Sequence, residues 1–263
     1  MQSNNSKNKL LINADLHCHT IKSFDAFTSP KELLKACIIK KINLIAITEH
    51  DLINKVNKKL FLEKGINIID GCEYTTDKGA HIIGLFVKNN LIGGNYREVI
   101  SHIKNQSGLV LIPHPFKKKS GIFRVYENYN YILDNADFIE LYNGGYHNTE
   151  KEKLEIINLS KRFNIRMLAN SDSHKVQQVG YYINQFNVKK DLGLRDLLTI
   201  SKPNLLADEN FRNSPRNLSK IQNIQKYQDL ISNLPFKLKR YIKILLYILS
   251  IKKIHKPSYI KLK

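Results

Sequence analysis

Short apolar runs rich in Ile, Val and Leu alternate with longer amphipathic stretches along the first 205 residues. Seven such runs occupy residues 10–17, 44–50, 67–75, 81–87, 109–115, 138–143 and 166–174. Most are nearly continuous in apolar residues, which is typical of strands buried on both faces. Strands that alternate with helices in this way predict a parallel α/β protein.

The stretches between these runs have helical signals. Ser29-Pro30-Lys31-Glu32 is a capping box with proline at the first helical position, and it predicts a helix to about Lys40. Further helices are predicted at 52–64, 95–106, 149–163 and 192–201. A chain of 263 residues has room for one large barrel, or for a barrel and a small appendage. We therefore expect residues 1–205 to form one barrel-like domain.

The sequence changes character beyond Pro203. Residues 205–215 are predicted to be a polar connector, followed by helices at 218–233 and 236–254. Of the net charge of +19, residues 212–263 contribute +12, from 13 Lys or Arg and the single acid Asp229. Residues 206–263 are thus interpreted as a connector and a basic helical C-terminal tail, which should attract phosphates, nucleic acid or acidic lipid.

The cysteines and the N-terminus indicate the cell compartment. Cys18, Cys37 and Cys72 form no C-x-x-C pair, which favours a reducing compartment. No signal peptide is recognisable, and no run reaches the roughly 18 apolar residues of a membrane span. We expect a cytoplasmic protein, and the apolar run 241–251 between basic residues could hold it at the inner membrane surface. Docking of that run on the barrel is the simpler alternative.

Histidines and acids collect where the predicted strands end. The segments are Asp15-Leu16-His17-Cys18-His19, Thr48-Glu49-His50-Asp51, Gly71-Cys72-Glu73, His81 at the start of its run, Pro113-His114-Pro115, Glu140 with Asn143, and Asp172-Ser173-His174. Barrel enzymes place their sites at the C-terminal ends of strands, and residues i and i+2 of a strand share a face. Six of the nine histidines occupy these positions, whereas His102, His147 and His255 do not.

Imidazoles and carboxylates without thiolates suit Zn, Mn or Fe. The ligands are more numerous than one ion needs, so two or three divalent ions are predicted. Neighbouring ions about 3.5–4 Å apart can clamp the attacking and leaving oxygens of a phosphoryl transfer.

The ordered set of motifs resembles the PHP (polymerase and histidinol phosphatase) family. The motifs are Asp15-Leu16-His17-Cys18-His19-Thr20, Ser23-Phe24-Asp25-Ala26, Ile47-Thr48-Glu49-His50, Gly71-Cys72-Glu73, His81-Ile82-Ile83-Gly84, Pro113-His114-Pro115 and Ser171-Asp172-Ser173-His174. The resemblance covers about residues 10–200 and implies a distorted (β/α)7 TIM-like barrel with a trinuclear metal site at its C-terminal mouth.

The resemblance also implies a ligand for each ion. The first ion would be held by His17, His19, Glu73 and Asp172. The second would be held by Asp25, His50 and His174. The third would be held by His81 and His114, and Glu73 would bridge it to the first. Glu49 stands where the family usually has Asp, so it would orient a neighbour rather than bind metal. No large insertion separates His81, His114 and Asp172, which disfavours the branch that hydrolyses nucleoside bisphosphates.

The predicted activity is hydrolysis of a phosphate monoester or diester by a metal-bound hydroxide. His174 or Glu49 would protonate the leaving oxygen, or a second metal-bound water would. Lys117, Arg124 and Asn143 are the predicted substrate-binding residues, with Arg124 favoured because guanidinium grips phosphate in a bidentate way. The substrate is expected to be a small phosphorylated molecule, with nucleic acid as a less favoured partner.

Two other functions remain open from the sequence. The barrel could be a metal-retaining binding or scaffolding module that acts through its basic tail at a membrane surface or on nucleic acid. It could also be a metal-dependent amidohydrolase, because metal hydroxides attack carbonyls. The lysines next to His114 favour phosphate.

Overall fold

The computed structural model describes residues 9–189, 192–212 and 254–262. Within these ranges, one sheet contains ten strands in the order β10-β9-β8-β1-β2-β3-β4-β5-β6-β7. The strands are β1 Lys9–Cys18, β2 Leu44–His50, β3 Asn67–Thr75, β4 His81–Leu85, β5 Leu109–Ile112, β6 Phe138–Asn143, β7 Arg166–Asn170, β8 Tyr182–Lys189, β9 Asn204–Asp208 and β10 Tyr259–Lys261. The helices are α1 Pro30–Lys40, α2 Lys58–Leu62, α3 Tyr96–Asn105, α4 Ile122–Val125, α5 Asn130–Asn135, α6 Glu150–Phe163, α7 Leu194–Ile200 and α8 Glu209–Arg212.

The sheet is mixed rather than parallel, which corrects the sequence prediction. The pairs β1–β2, β2–β3, β5–β6 and β6–β7 are parallel, but β4 runs antiparallel to both of its neighbours, and β8, β9 and β10 also pair antiparallel. A tight turn joins β3 to β4, in which Thr76 N donates to Ala80 O over 2.8 Å. So short a connection cannot hold the crossover helix that a parallel pair requires.

The sheet is curled into a half-barrel, and β7 returns to the side of β1. Cys18 and Ser173 form an isolated parallel bridge, and His19 N donates to Ser173 O over 3.0 Å. The side-chain amide of Asn184 on β8 also donates to Ala169 O on β7 over 2.9 Å. Hydrogen bonds thus hold the carboxyl end of β7 beside β1, where the sequence predicts the site.

The strands are buried on both faces, as the continuous apolar runs indicate. On β2, Leu44 and Ala46 belong to the core inside the curled sheet, while Ile45 and Ile47 pack against α1 on the outside. The helices on the outer face begin at the predicted caps. Ser29 and Thr149 both form complete capping boxes, with Glu32 and Glu152 respectively. Both ends of the α1 prediction are confirmed.

Two other predictions about elements are wrong. Residues 52–64 form only the short α2, because residues 52–57 are held in a loop in which Ile53 N donates to Asn90 Oδ1 over 2.7 Å. The predicted connector from residue 205 is instead occupied by β9 and α8, and β10 also joins the sheet. The helices predicted at 218–233 and 236–254 lie almost wholly outside the described residues. Among the described helices, none has the length and apolar character to cross a membrane.

Candidate metal centre

All nine residues predicted as metal ligands lie at one edge of the curled sheet. His17 is near the end of β1 and His19 directly follows that strand, while His50 ends β2 and Glu73 is near the end of β3. The other five are His81, the first residue of β4, and the loop residues Asp25, His114, Asp172 and His174. Because β4 is antiparallel, its first residue lies at the edge where the parallel strands end. This explains why His81 begins its run while the others follow theirs.

The carboxylate of Glu73 is at the centre of the cluster and is almost fully buried. Its Oε1 lies 2.8 Å from His81 Nδ1 and 3.0 Å from His114 Nε2. Its Oε2 lies 3.2 Å from His19 Nε2, 3.3 Å from His50 Nδ1 and 3.4 Å from His17 Nε2. One carboxylate therefore faces five imidazoles, as the predicted bridging role requires.

Two further carboxylates, those of Asp172 and Asp25, also contact the imidazoles of the cluster. Asp172 Oδ1 lies 3.3 Å from His17 Nε2 and 3.4 Å from His19 Nε2. Asp25 Oδ2 lies 3.1 Å from His174 Nε2 and 3.3 Å from His50 Nε2. The structure thus brings together Asp25, His50 and His174, which the resemblance assigns to one ion.

The donor set fits divalent cations. Four overlapping triads have ligand atoms within 4.8 Å of one another: His17–His19–Glu73, His50–Glu73–His81, His19–His50–His174 and His17–His114–Asp172. Among the described residues, the buried oxygens Asp25 Oδ1 and Asp172 Oδ2 have no hydrogen-bond partner. Unpaired buried carboxylate oxygens are costly unless a cation is bound. Three of these triads, all except His17–His19–Glu73, combine residues that the resemblance assigns to different ions, so that division stays a prediction.

Glu140 on β6 is a part of the site that the ligand prediction omits. Its Oε1 lies 2.9 Å from His17 Nδ1, and it also accepts from the side chain of Asn170 over 2.9 Å. Its Oε2 accepts from His114 N over 2.7 Å. Histidine ligands commonly give their second nitrogen to a carboxylate, which fixes the tautomer and the orientation of the ring. The sequence signal was present, since Glu140 is another acid near a strand end.

The histidines and carboxylates of the cluster shift one another's pKa values. Burial lowers the pKa of His17, but Asp172 and Glu73 raise it by more, so that it lies well above the usual value. Burial raises the pKa of Glu73, but the imidazoles of His81 and His17 bring it well below the usual value. Asp25 and Asp172 are shifted down in the same way, chiefly by His174 and His17 respectively. The carboxylates therefore stay ionised, as metal ligands must.

Two of the predicted ligands have strained backbones. His114 has φ of 25° and Asp172 has φ of 47°, in the left-handed region that non-glycine residues rarely adopt. A Cβ on Gly145 would lie 2.4 Å from Asp172 Oδ2, so only glycine leaves room there. Strain of this kind persists where the surroundings enforce it, and it is frequent at functional sites.

Glu49 does not occupy the position of a general acid. Its buried carboxylate accepts hydrogen bonds from the side chains of Thr20, Ser23 and Asn54, the last over 2.9 Å. Ser23 Oγ in turn lies 3.2 Å from His19 Nδ1. With its oxygens used in this way, Glu49 fixes the loop after β1. The predicted orienting role agrees with this geometry, whereas the alternative of proton donation does not.

Two of the three predicted substrate-binding residues are engaged elsewhere. Arg124 donates to Glu152 Oε1 over 2.9 Å and does not line the cavity at the site. Asn143 is buried, donating to Glu140 Oε2 over 2.6 Å and accepting from Gly145 N over 2.8 Å. These contacts direct neither side chain into the cavity.

Lys117 does line the cavity, which has a volume of about 440 Å³. Its Nζ lies 3.8 Å from Asp172 Oδ2. Lys119, one of the lysines next to His114 that favour phosphate, also lines the cavity. So do Lys175, Gln178 and the exposed Phe24, which the sequence did not identify as substrate-binding residues. His102, His147 and His255 belong to none of the triads, as expected.

Comparison with known proteins identifies the family of the chain. The model of the PHP domain matches residues 15–234, and the chain belongs to this family. The uncharacterized protein MJ1587 of Methanocaldococcus jannaschii is 35% identical over 149 residues, which cover 52% of this chain and 84% of that protein. A 5'-3' exoribonuclease of Haemophilus influenzae is 37% identical over 76 residues, 27% of each protein.

One solved structure shows the same fold. A two-domain protein of Bacteroides vulgatus, containing a predicted PHP-like metal-dependent phosphoesterase, superposes with a TM-score of 0.61 at 20% identity. The match covers 75% of this chain and 65% of that one. Family membership and the histidine–carboxylate clusters together support a metal-dependent hydrolase.

Proposed function

We propose that the protein hydrolyses phosphate esters with the help of divalent metal ions. The observation that carries the proposal is one cluster of six imidazoles and three carboxylates, in which three of the imidazoles and all three carboxylates line a cavity that lysines also line. A divalent metal centre and cations that bind phosphate oxygens both stabilise the charge that develops in metal-assisted phosphoryl transfer. The curled sheet is, in this proposal, the distorted (β/α)7 barrel of the family.

The nine residues would hold two or three ions of Mn, Zn or Fe, divided as the resemblance implies. When bound, such ions act as Lewis acids and provide a hydroxide nucleophile at neutral pH. Glu140 and Glu49 hold the ligands in position, Glu140 through His17 and Glu49 through Ser23. Preorganised ligands of this kind lose little entropy when the ion binds.

Lys117 would offset negative charge on the phosphoryl oxygens, because its ammonium group lies at the cavity wall next to Asp172. His174 would donate a proton to the leaving oxygen only in a state in which its Nε2 binds no metal ion, because its Nδ1 contacts Asp172 O. It has the most exposed side chain of the six imidazoles, at 23%, so that a leaving group in the cavity can reach it. Its Nδ1 lies 2.9 Å from Asp172 O, which fixes the ring.

The cavity walls favour a substrate with an aromatic group or with more than one negative charge. Phe24 is 73% exposed, and its ring centroid lies 5.2 Å from that of His50. An exposed ring next to lysines can stack a base or another planar group. The similarity to an exoribonuclease makes short RNA one candidate alongside small aryl phosphates.

The test is a screen of protein reconstituted with Mn²⁺ or Zn²⁺ on p-nitrophenyl phosphate, its bis-ester and a short RNA. We expect metal-dependent turnover of at least one of them, and loss of more than about 10³-fold in the double variant His17→Ala, His19→Ala, as for removal of essential catalytic groups. Arg124→Ala is the matched control, because its side chain lies outside the cavity, and it should retain activity. Absence of turnover in the wild type, or unchanged metal content in the double variant, contradicts the proposal.

A further inference from the structure

The segment 254–262 returns to the sheet next to the loop that carries two of the predicted ligands. Its strand β10 pairs with β9, with Tyr259 opposite Asp208. Asp208 is fully buried and forms an ion pair with the buried Lys40. Asp208 Oδ1 also accepts from Ser258 N over 3.2 Å. A buried charged pair with additional hydrogen bonds places this segment in a defined position.

The hydroxyl of Tyr259 contacts the far end of the ligand-bearing loop. It donates to Gly180 O over 3.0 Å and lies 3.3 Å from Lys40 O. Burial raises the pKa of Tyr259, and the carboxylate of Asp208 raises it further, so the hydroxyl remains a neutral donor. Gly180 has φ of 67°, and a Cβ there would lie 3.0 Å from the Tyr259 hydroxyl oxygen. The contact therefore depends on a glycine with a left-handed backbone.

A short path of hydrogen bonds leads from this contact to the ligands. Gly180 N donates to Asp15 Oδ2 over 3.0 Å, and Asp15 Oδ1 accepts from Ser171 N over 3.1 Å. Ser171 directly precedes Asp172, whose strained backbone must be held by its surroundings. The two ends of the loop 171–180 are thus both fixed to Asp15, and Tyr259 braces the second end.

We infer that Tyr259 is a positioning residue for the metal centre, which holds Gly180 and thereby the loop that presents Asp172 and His174. The inference rests on the proposed function, because it takes these two residues to be ligands. It also gives β10 a role in the site, although it lies more than 80 residues from the nearest predicted ligand in the sequence.

The test compares Tyr259→Phe with Tyr74→Phe. Tyr74 is a matched control, because it is buried and its hydroxyl also donates to a main-chain carbonyl, Asn89 O, over 3.0 Å. Each variant removes one oxygen atom, so both should fold and show similar small decreases in melting temperature. Calorimetric titration with Mn²⁺ should show affinity about 3–10-fold weaker in Tyr259→Phe, less than for removal of a direct partner of a ligand. Tyr74→Phe should bind as the wild type does.

Hydrogen exchange of the metal-free protein provides a second measurement. The amides of residues 171–180 should exchange faster in Tyr259→Phe and at the wild-type rate in Tyr74→Phe. Wild-type affinity and exchange in Tyr259→Phe would overturn the positioning role and leave the proposed function intact. A wild-type protein that binds no Mn²⁺ or Zn²⁺ would instead contradict the proposed function, and the exchange measurement would still show whether Tyr259 holds the loop.

Discussion

Glu140 is not one of the predicted ligands, but its hydrogen bonds position two of them. Its two oxygens accept from four groups in different segments: His17 Nδ1, Asn170 Nδ2, His114 N and Asn143 Nδ2, all at 2.6–2.9 Å. With Nδ1 of His17 engaged in this way, Nε2 is the nitrogen left to face Glu73 and Asp172. One carboxylate thus sets the ring orientation of one predicted ligand and the backbone of another.

Replacing Glu140 by Gln should weaken metal binding without removing any predicted ligand. In either orientation, the NH₂ group of Gln would meet two donors, so the contact that positions His17 or the contact that positions His114 is lost, and we expect Mn²⁺ affinity to fall about 10–100-fold. Calorimetric titration and metal analysis measure the change. Glu98→Gln is the control, because Gln can also form the capping box of α3 away from the site. Equal affinity in the two variants would show that metal binding does not depend on these contacts of Glu140.

The sequence predicts the location of a side chain best where the residue stands at the end of a strand. His17, His19 and His50 follow from strand ends alone, because a strand fixes where its last side chains point. Arg124 lies outside the cavity, because the direction of a long side chain depends on distant neighbours. Its partner Glu152 is 28 residues away on α6. Asn143 is at the predicted edge, but hydrogen bonds to Glu140 and the following turn use its amide.

The charge state of the imidazoles predicts how the metal-free protein responds to pH. Burial lowers the pKa of His19, and hydrogen bonds to Asp172 and Glu73 raise it by more, to about 9. A histidine whose pKa is raised by folding stabilises the fold below its unfolded pKa of about 6.5, and this contribution is lost as the pH rises through the folded value. His50 and His114, whose pKa values are lowered chiefly by burial, are neutral in both states above that pH.

The free energy of unfolding of chelator-treated protein should therefore fall between about pH 6.5 and pH 8.5, below the range in which free thiols ionise. Urea titrations at several pH values measure the slope. His19→Gln should flatten it, and His255→Gln, an exposed position outside the site, should leave it unchanged. An unchanged slope in His19→Gln would contradict the charge state inferred for this cluster.

At the scale of elements, the site depends on one strand that runs against its neighbours. The antiparallel β4 brings His81 to the edge formed by the ends of β1, β2 and β3. A parallel strand at this place would put the start of the run at the opposite edge of the sheet. The reversal also brings the turn between β3 and β4 to the cavity, where Gly79 forms part of the wall.

The sequence pattern predicts elements well where burial is uniform. The predicted runs 44–50, 67–75 and 138–143 coincide with β2, β3 and β6. It fails at β8, where Asn184 and Gln185 interrupt the apolar pattern, and these side chains bond to neighbouring strands. It also fails at 52–57, where Asn54 donates to Glu49 and so belongs to the site loop rather than to a helix. In both cases, tertiary contacts of polar side chains override the local pattern.

At the scale of the whole molecule, the described residues that flank the basic region contact each other. Residues 213–253 contain nine Lys or Arg and one acid, and they lie outside the described residues. The described residues on either side meet, since Glu209 N donates to Ser258 O over 2.9 Å and Asn210 Nδ2 to Lys256 O over 3.1 Å. The described residues on the two sides of the region therefore lie next to each other at the sheet.

Replacing residues 213–253 by a short Gly-Ser linker should therefore preserve the metal centre. About six residues suffice, since they span up to roughly 20 Å. We expect wild-type Mn²⁺ affinity and turnover of p-nitrophenyl phosphate, with loss of the salt-sensitive binding to RNA or anionic vesicles that a charge of +8 would provide. Anisotropy and vesicle sedimentation at low and high salt measure that binding. Truncation after Arg212 is the contrasting variant: it also removes Tyr259, so its metal affinity should fall. Lost turnover in the linker variant would place the basic region within the catalytic unit, whereas unchanged binding would assign the attraction for anions to the barrel itself.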